Sequence, residues 1–348
     1  MTVNCTHLNW LLLGVFLIFS VTCALAQEGL EHATPSAKAP DTFSVNFVAA
    51  FSSSKDIDQA PGFGKSVFEF IFGEDDERLM KPVAVTVTSA GQIFIIDQGQ
   101  RSLITIDREK KDFDSIESVR KQGLFSLVSV CQAWDDVLLF ADSEKNKLFS
   151  IGRKKKRVRP FAASVTLNQP TGLAYHPLRD EVWVVETKAH RIVVLDRHGK
   201  RLRTIGARGT GKDDFNYPTS IWIDAAGTVH VVDSMNFRVK IMDGQGEVLS
   251  VFGEPGDSTG YVARSKGIAT DSFGHIYVVD GLFHTVQIFD RKGVFLYNFG
   301  KQGGGLGEFW LPSGIFIDHK NFIYVADSYN ARIQMFKMGK RSRGKIND

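Results

Sequence analysis

Residues 311–336, LPSGIFIDHKNFIYVADSYNARIQMF, carry a pattern that repeats upstream and predicts the fold. The pattern recurs at 217–242, YPTSIWIDAAGTVHVVDSMNFRVKIM, and at 264–289, RSKGIATDSFGHIYVVDGLFHTVQIF. In each copy an apolar segment ends on an acidic residue, and six such residues recur at steps of 45, 44, 47, 47 and 47 residues. They are Asp97, Asp142, Glu186, Asp233, Asp280 and Asp327. A period of this length indicates stacked supersecondary units.

Each copy contains segments with strand character separated by turns. A short apolar segment such as 311–318 is followed by a nearly continuous apolar one such as 323–327, then by 332–336, and in most copies by a fourth segment such as 295–299. The sequence therefore predicts an all-β, six-bladed β-propeller of four-stranded blades. The second strands are expected to be buried on both faces, and the alternating third strands to form partly buried edges.

The sixth repeat has only three strand segments before the chain becomes polar, so its fourth strand must come from elsewhere. Residues 44–51, SVNFVAAF, resemble the fourth strands of other repeats, and we predict that they pair onto the last blade and close the ring. Closure removes the open sheet edges that promote aggregation. The propeller is expected to span 44–338, with a short amphipathic helix at 63–72 and a basic, disordered tail at 339–348.

The chain begins with an apolar segment that ends in Ala24-Leu25-Ala26, which is typical of a signal peptide and its cleavage site. We expect residues 1–26 to direct export to the periplasm or the extracellular space. The first ten residues contain no Lys or Arg, so an uncleaved segment that anchors the protein to a membrane is the alternative. Residues 27–43 resemble a flexible linker. Removal of residues 1–26 would leave Cys131 as the single cysteine, which excludes a disulfide framework.

The repeats resemble a known family. The series Pro-x-Gly-Ile-x-x-Asp, followed by Ile-Tyr-Val-x-Asp-Ser-x-Asn-x-Arg, resembles the NHL repeat and is clearest at 312–336 and 218–242. The whole chain is similar to the exported six-bladed NHL-repeat proteins of bacteria, most of which have no assigned activity. Blades one and two depart from the motif.

Within the motif, Asp233 with Arg238 and Asp327 with Arg332 form candidate charge pairs. We interpret them as structural, because they recur in every good copy and can hold the loop between strands two and three. The sequence gives no catalytic residue, cofactor or metal ligand that we would assign. A phosphate-loop pattern at 206–212 lacks the Ser or Thr and the helix that the chemistry requires.

A metal-dependent hydrolase or lyase at the propeller axis is the competing hypothesis, because some six-bladed propellers hold a metal there. By resemblance to the peptidyl-hydroxyglycine lyases, zinc-binding histidines would follow the proline that opens a blade. The matching positions are occupied by residues that cannot serve as that ligand or, in blade five, by a lysine. They are Val83, Thr171, Thr219, Ser313 and Lys266.

Positive charge gathers on the hairpins, although the net charge is only +3. Turns between strands one and two, and between strands three and four, share one face of a propeller. Polar, Lys-rich hairpin tips that maintain solubility are one explanation of this charge, and the competing hypothesis is that the face binds an anionic partner. The residues assigned to it are Arg153, Lys154, Lys155, Lys156, Arg157, Arg159, Lys200, Arg201 and Arg203. The run 153–159 contains no aromatic residue that could stack on bases, which argues against nucleic acid.

The sequence thus predicts an exported, monomeric, non-catalytic scaffold of the bacterial cell envelope that binds a protein or ligand without a cofactor. Its expected contact surfaces are the inter-blade loops and the basic hairpin face, because loops carry variable chemistry on a constant framework. The expected partner is a protein or an anionic envelope component, with a membrane surface possible through the N-terminus.

Overall fold

The computed structural model describes residues 43–58, 78–135, 137–152, 157–256 and 258–340. These residues form six four-stranded antiparallel sheets, each built from consecutive strands except for one that includes the N-terminal strand. The all-β, six-bladed propeller expected from the repeats is therefore confirmed. Among the described residues, no helix is long and apolar enough to cross a bilayer.

The strands are numbered along the chain, beginning with β1 (Phe43–Phe51). Blade one contains β2 (Pro82–Val87), β3 (Ile93–Asp97), β4 (Ser102–Asp107) and β5 (Asp112–Ser115). Blade two contains β6 (Leu127–Gln132), β7 (Val137–Asp142), β8 (Lys147–Gly152) and β9 (Val158–Phe161). Blade three contains β10 (Pro170–His176), β11 (Glu181–Glu186), β12 (Arg191–Asp196) and β13 (Arg201–Ile205).

Blade four contains β14 (Pro218–Ile223), β15 (Val229–Asp233), β16 (Arg238–Met242) and β17 (Val248–Phe252). Blade five contains β18 (Ser265–Thr270), β19 (Ile276–Asp280), β20 (Thr285–Phe289) and β21 (Phe295–Phe299). Blade six contains β22 (Ile315–Ile317), β23 (Phe322–Asp327) and β24 (Arg332–Lys340), with β1 as its fourth strand.

Short helices occur only in the connections of the described chain. The α-helix α1 (Glu117–Lys121) follows blade one, and the 3₁₀ helices are Ser54–Asp58, Thr187–Ala189, Ser234–Asn236 and Ser328–Asn330. Three of the 3₁₀ helices directly follow the acidic residue that ends a second strand. They make the turn into the third strand compact.

The ring closes as the sequence predicts, through antiparallel pairing of β1 with β24. The pairing runs from Phe43 opposite Lys340 to Phe51 opposite Ile333, with an irregularity between Phe47 and Ala49. β24 therefore extends two residues into the segment expected to form the tail. The expected signal peptide and most of the linker (1–42), the helix at 63–72 and residues 341–348 lie outside the described residues.

The core lies between neighbouring blades, where apolar side chains of adjacent sheets pack together. Strands such as β15 and β19 are buried along their whole length, as the continuous apolar pattern indicates. The expectation of partly buried third strands is wrong, because the polar residues Lys240, Gln287 and Gln334 are 0 % exposed. The inter-blade loops cover these side chains, and the exposed edge is the fourth strand, for example β13 or β17.

The glycine of the Pro-x-Gly motif allows consecutive blades to approach closely at the axis. A Cβ atom at Gly267 would lie 2.6 Å from the carbonyl oxygen of Ser313, and one at Gly314 would lie 2.6 Å from that of Val83. Any larger residue would therefore push the next innermost strand outward. The motif glycine belongs to the packing of the ring.

The antiparallel order gives the propeller two different faces. The hairpins between strands one and two and between strands three and four form one face, which we call the hairpin face. The links between strands two and three and the inter-blade connections form the other, which we call the loop face. Each innermost strand begins at the loop face and runs along the axis toward the hairpin face.

Candidate functional site

The acidic residues of the repeat anchor the loops on the loop face. The Nε atom of Arg332 donates to Asp327 Oδ2 at 2.8 Å, and its Nη atoms donate to the carbonyl oxygens of Gly304, Gly305 and Glu308 at 2.7–2.9 Å. The other carboxylate oxygen of Asp327 accepts the Trp310 backbone N–H at 2.7 Å. The network joins strand two, strand three and the preceding inter-blade loop in one blade.

Blade four repeats this network in detail. Arg238 Nε donates to Asp233 Oδ2 at 2.8 Å, and its Nη atoms reach the carbonyl oxygens of Thr210, Gly211 and Asp214 at 2.7–3.0 Å. Blade five lacks the arginine, because Thr285 occupies its position. Asp280 is 0 % exposed, as Asp233 and Asp327 are, and without the arginine its Oδ2 atom has no hydrogen-bond partner among the described residues.

Two histidines support the inter-blade loops in a similar way. His190 Nδ1 accepts the Tyr217 N–H at 3.1 Å, and His284 Nδ1 accepts the Leu311 N–H at 2.9 Å. Burial lowers the pKa of His190, which keeps this ring neutral and able to accept. Both side chains hold backbone rather than line the axis.

The structure describes five of the nine cations assigned to the basic hairpin face. Arg157, Arg159, Lys200 and Arg201 are exposed, and residues 153–156 lie outside the described residues. Arg203 differs from the expectation, because its Nη atoms donate to Glu181 at 2.7 and 2.8 Å and its guanidinium lies 5.2 Å from the centre of the Trp183 ring. Arg203 is therefore half-buried and part of a structural pair.

The innermost strands surround an axial channel of about 300 Å³. Most of the residues that line it are apolar in type and come from all six blades, with Ile221, Ile268 and Ile315 as representatives, although polar atoms make up slightly more than half of the lining surface. The rings of Trp222 and Phe316 lie within it, their centres 5.5 Å apart and nearly perpendicular. Cys131 also lines the channel, and burial raises the pKa of its thiol to about 12, so this thiol is protonated and unreactive near neutral pH.

In blades one to five, the second residue of the innermost strand lines the loop-face mouth of the channel. These residues are Val83, Val128, Thr171, Thr219 and Lys266, whereas the corresponding Ser313 of blade six precedes β22. Within the described ranges, no three His, Cys, Asp or Glu side chains come close enough to hold a metal ion together. The mouth instead offers hydroxyl groups and one ammonium group.

Large apolar side chains are exposed around this mouth to a degree that the sequence patterns did not reveal. Half of the large hydrophobic residues that are exposed in the described chain lie on the loop face, and three lie in hairpin turns. The loop-face set is Met80, Phe125, Tyr217, Met235, Leu282, Leu306, Trp310 and Tyr329.

Blades four to six contribute to this set at an equivalent position. Met235, Leu282 and Tyr329 occupy the same position, two residues after the acidic residue of their blades, whereas blades one to three have Gly99, Glu144 and Lys188 there. We call Tyr217, Met235, Leu282, Trp310 and Tyr329 the apolar crescent. Comparison of the copies at this one position could have revealed Met235, Leu282 and Tyr329 from the sequence, but not Tyr217 and Trp310.

The two rings of blade six form the densest part of the crescent. The ring centres of Trp310 and Tyr329 are 6.2 Å apart, and the Tyr329 N–H donates to the Trp310 carbonyl at 3.1 Å. The Lys81 ammonium lies 5.5 Å from the centre of the Tyr329 ring. Trp310 is 50 % exposed and Tyr329 is 54 % exposed, so both rings present large surfaces to solvent.

Comparison with known proteins supports the fold. The family model DUF5128, described as a 6-bladed beta-propeller, matches residues 268–343, and no curated protein matches the chain. An auxiliary nutrient binding protein from Bacteroides thetaiotaomicron is similar with a TM-score of 0.61 and 15 % identity, covering 76 % of this chain and 70 % of that chain. One from Bacteroides ovatus gives 0.60 and 12 %, covering 86 % and 78 %.

An enzyme shares the architecture as well. Virginiamycin B lyase from Staphylococcus aureus is similar with a TM-score of 0.55 and 14 % identity, covering 85 % of this chain and 99 % of that chain. At such low identities the likeness lies in the fold, and binding proteins and lyases both use it.

Proposed function

We propose that this protein is a non-catalytic binding scaffold that holds a protein partner on its loop face. The observation that supports this most directly is the apolar crescent beside the mouth of the axial channel. Exposed apolar side chains that cluster on one face are typical of interaction sites, and aromatic residues dominate the energetics of protein interfaces. The partner would cover Trp310 and Tyr329 with apolar surface of its own.

The loops beneath the crescent are well suited to this role because they are held rigidly. Trp310 is bonded through its backbone to Asp327, and Tyr217 through its backbone to His190. Side chains on loops that are fixed before binding lose less conformational entropy when a partner arrives. The acidic residues and arginines of the repeat would thus contribute to binding by ordering the surface.

The proposal places the scaffold outside the cytoplasm, on the basis of the apolar segment and cleavage pattern within 1–26 and the resemblance to exported NHL-repeat proteins. The similarity of fold to auxiliary nutrient binding proteins is consistent with a binding role. The exposed cations Arg157, Arg159, Lys200 and Arg201 would provide a second, electrostatic contact with an anionic envelope component.

Variants that each remove three exposed apolar side chains, one on each face, can test the proposal. We would replace Met235, Trp310 and Tyr329 together with alanine, and as a control replace Leu178, Phe273 and Val294, which are exposed in the hairpin turns. Immobilised proteins would be exposed to envelope fractions, and a captured partner would be purified and titrated against each variant.

We expect the loop-face variant to weaken partner binding by at least tenfold, because two aromatic anchors and one aliphatic contact are removed. The hairpin-face control should bind as the unmodified protein does. Equal binding by the loop-face variant would exclude the crescent as the docking surface.

The competing hypothesis of a metal-dependent hydrolase or lyase makes a separate prediction. It requires a stoichiometric metal ion in the purified protein, since Lewis-acid catalysis needs the ion at the site. Elemental analysis that finds one zinc or calcium ion per chain would support that hypothesis over a scaffold.

A further inference from the structure

Hydroxyl pairs at the channel mouth connect neighbouring blades. In blade three, the hydroxyl oxygens of Thr171 and Thr187 lie 2.6 Å apart, and Thr187 donates to the Pro218 carbonyl of blade four at 2.7 Å. In blade six, Ser313 and Ser328 lie 2.7 Å apart, and Ser328 donates to the Pro82 carbonyl of blade one at 2.7 Å. Hydroxyl groups at these positions therefore hydrogen-bond one blade to the next.

Blade five breaks this arrangement at both positions. Lys266 replaces the first hydroxyl residue, and Gly281 replaces the second. A Cβ atom at Gly281 would lie 3.2 Å from Lys266 Cγ and 3.2 Å from the Pro312 carbonyl oxygen, so the lysine stem lies where the second side chain stands in other blades. The two substitutions fit together and place an ammonium group at the mouth.

The Lys266 ammonium is available to a ligand. The side chain is exposed, lines the channel and has no hydrogen bond or ion pair with any residue that the structure describes. Many other cations of the described chain, such as Arg238 and Arg332, are bonded to carboxylates and carbonyls. An unpaired lysine at the rim of an apolar cavity is a typical way to orient a charged ligand.

The adjacent blade adds a hydrogen-bond donor. The hydroxyl oxygens of Thr219 and Ser234 lie 2.6 Å apart, and neither has another hydrogen-bond partner among the described residues. One hydroxyl proton joins the two oxygens, so the second proton has no acceptor. In blades three and six, the hydroxyl groups of Thr187 and Ser328 donate the corresponding proton to a carbonyl of the next blade. In blade four, this proton is free to bond a ligand.

We propose that Lys266, with the Thr219 and Ser234 pair, forms an anion subsite that binds a carboxylate whose attached apolar chain enters the channel. The apolar lining below the mouth, including Ile221, Ile268 and Trp222, would accommodate that chain. This inference deepens the proposed scaffold function, because the C-terminal carboxylate of a protein partner on the crescent could reach this subsite. A free aliphatic acid carries the same chemistry.

The charge of the subsite favours a carboxylate over a phosphate ester. One ammonium group balances one negative charge, whereas phosphate sites generally combine several cations or backbone N–H groups. The buried carboxylate of Asp280, on the strand paired with β18, adds negative charge nearby and further disfavours a dianion. A monoanion therefore fits the mouth.

Binding of small acids to the full-length protein tests the subsite directly. Isothermal titration would compare N-acetyl-dileucine with its C-terminal amide, and hexanoate with hexanamide and hexyl phosphate. The proteins would be the unmodified chain, Lys266→Met, which retains the stem without the charge, and Lys292→Met, an exposed lysine on the hairpin face that removes the same charge.

We expect both acids to bind the unmodified protein and Lys292→Met, and to bind Lys266→Met about tenfold more weakly, as expected for the loss of one charge-assisted hydrogen bond. The amides should bind all three proteins equally weakly. The tighter of the two acids distinguishes a peptide C-terminus from a free aliphatic acid as the natural source.

Equal affinity of the acids for Lys266→Met and the unmodified protein would overturn the proposal, as would preference for hexyl phosphate or lack of saturable acid binding. If Lys266 only balances Asp280, Lys266→Met would lower the unfolding midpoint without changing acid binding, which also contradicts the subsite. The crescent variant leaves Lys266 in place, so failure of partner capture and failure of acid binding are separable results.

Discussion

A buried lysine in blade four provides the sharpest test of how the inter-blade loops are held. Lys240 is 0 % exposed, its ammonium donates to the Asp214 carbonyl, and it lies 4.1 Å from the centre of the Phe215 ring. Blades five and six have Gln287 and Gln334 at the same position, and both amides donate to the equivalent loop carbonyls, at 2.8 and 2.6 Å. We predict that Lys240→Gln stabilises the protein.

The magnitude follows from the cost of burying the charge. Burial, with the nearby charge of Arg238, lowers the pKa of Lys240 from 10.5 to about 8. That difference corresponds to about 3 kcal/mol against the charged form in the folded state. Glutamine would retain the hydrogen bond to Asp214 without a charge but lose the contact of the cation with the ring, about 1 kcal/mol. We therefore expect a gain of about 2 kcal/mol at pH 7.

The pH dependence distinguishes this cause from better packing. Between the folded pKa of about 8 and the unfolded value of 10.5, the unfolded chain binds more protons at Lys240 than the folded chain does. The stability contributed by this group therefore rises with pH in that window. The advantage of Lys240→Gln over the unmodified protein should be greatest at or below pH 7 and should shrink toward pH 10.

Urea unfolding followed by tryptophan fluorescence at pH 7, 8.5 and 9.5 measures these differences. Gln287→Lys is the reciprocal control and should destabilise blade five with the same pH trend, because it introduces a buried charge and removes the acceptor of the Gly260 N–H. A Lys240→Gln variant that is less stable than the unmodified protein, or an advantage that does not change with pH, would show that the buried charge of Lys240 does not destabilise the fold.

Other parts of the fold make further predictions. Phe51→Ala should cost about 3–4 kcal/mol in urea unfolding, because Phe51 is 3 % exposed in the strand that closes the ring; a loss below about 1 kcal/mol would contradict closure by β1. Asp327→Asn should destabilise by about 3–5 kcal/mol because it leaves Arg332 without its anion, whereas Asp280→Asn, which breaks no such pair, should cost less than about 1 kcal/mol. Thermal unfolding of the two variants compares them, and equal losses would exclude the pairing as the cause. Binding to acidic lipid vesicles should fall with added salt and on neutralising the exposed basic hairpin residues, and sedimentation that is independent of salt would exclude that surface. Those residues are Arg157, Arg159, Lys200 and Arg201.

The repeats predicted the ring because each copy contains its own turns and strands and an acidic residue that ends the second strand. All of these signals are local in the sequence. The need for a fourth strand in blade six also follows from counting strands, which is why 44–51 could be assigned to close the ring. The burial of Lys240, Gln287 and Gln334 could not be predicted in this way. These polar residues alternate with apolar ones, which is the pattern of a half-exposed strand. The strands are buried because the inter-blade loops cover the polar side chains.

In the candidate sites, too, local sequence patterns predicted some features and tertiary contacts determined the others. Arg203 was expected among the cations of the hairpin face, but it pairs with Glu181, which lies on another strand of the same blade and more than twenty residues away. The apolar crescent joins residues of three blades that are distant in the chain. Lys266 is recognisable as an exception by comparing repeats, yet its lack of a partner depends on Gly281.

The repeat pattern and the number of strand segments therefore sufficed to predict an all-β ring of six blades and its closure by the N-terminal strand. They also indicated a structural role for the repeated acidic residues. Closure of the ring sets which polar groups are neutralised, which are covered by loops and which face the axial channel. Hydrophobic periodicity depends on neighbours within a strand, whereas the partner of a charge depends on which strands and loops the closed ring brings together.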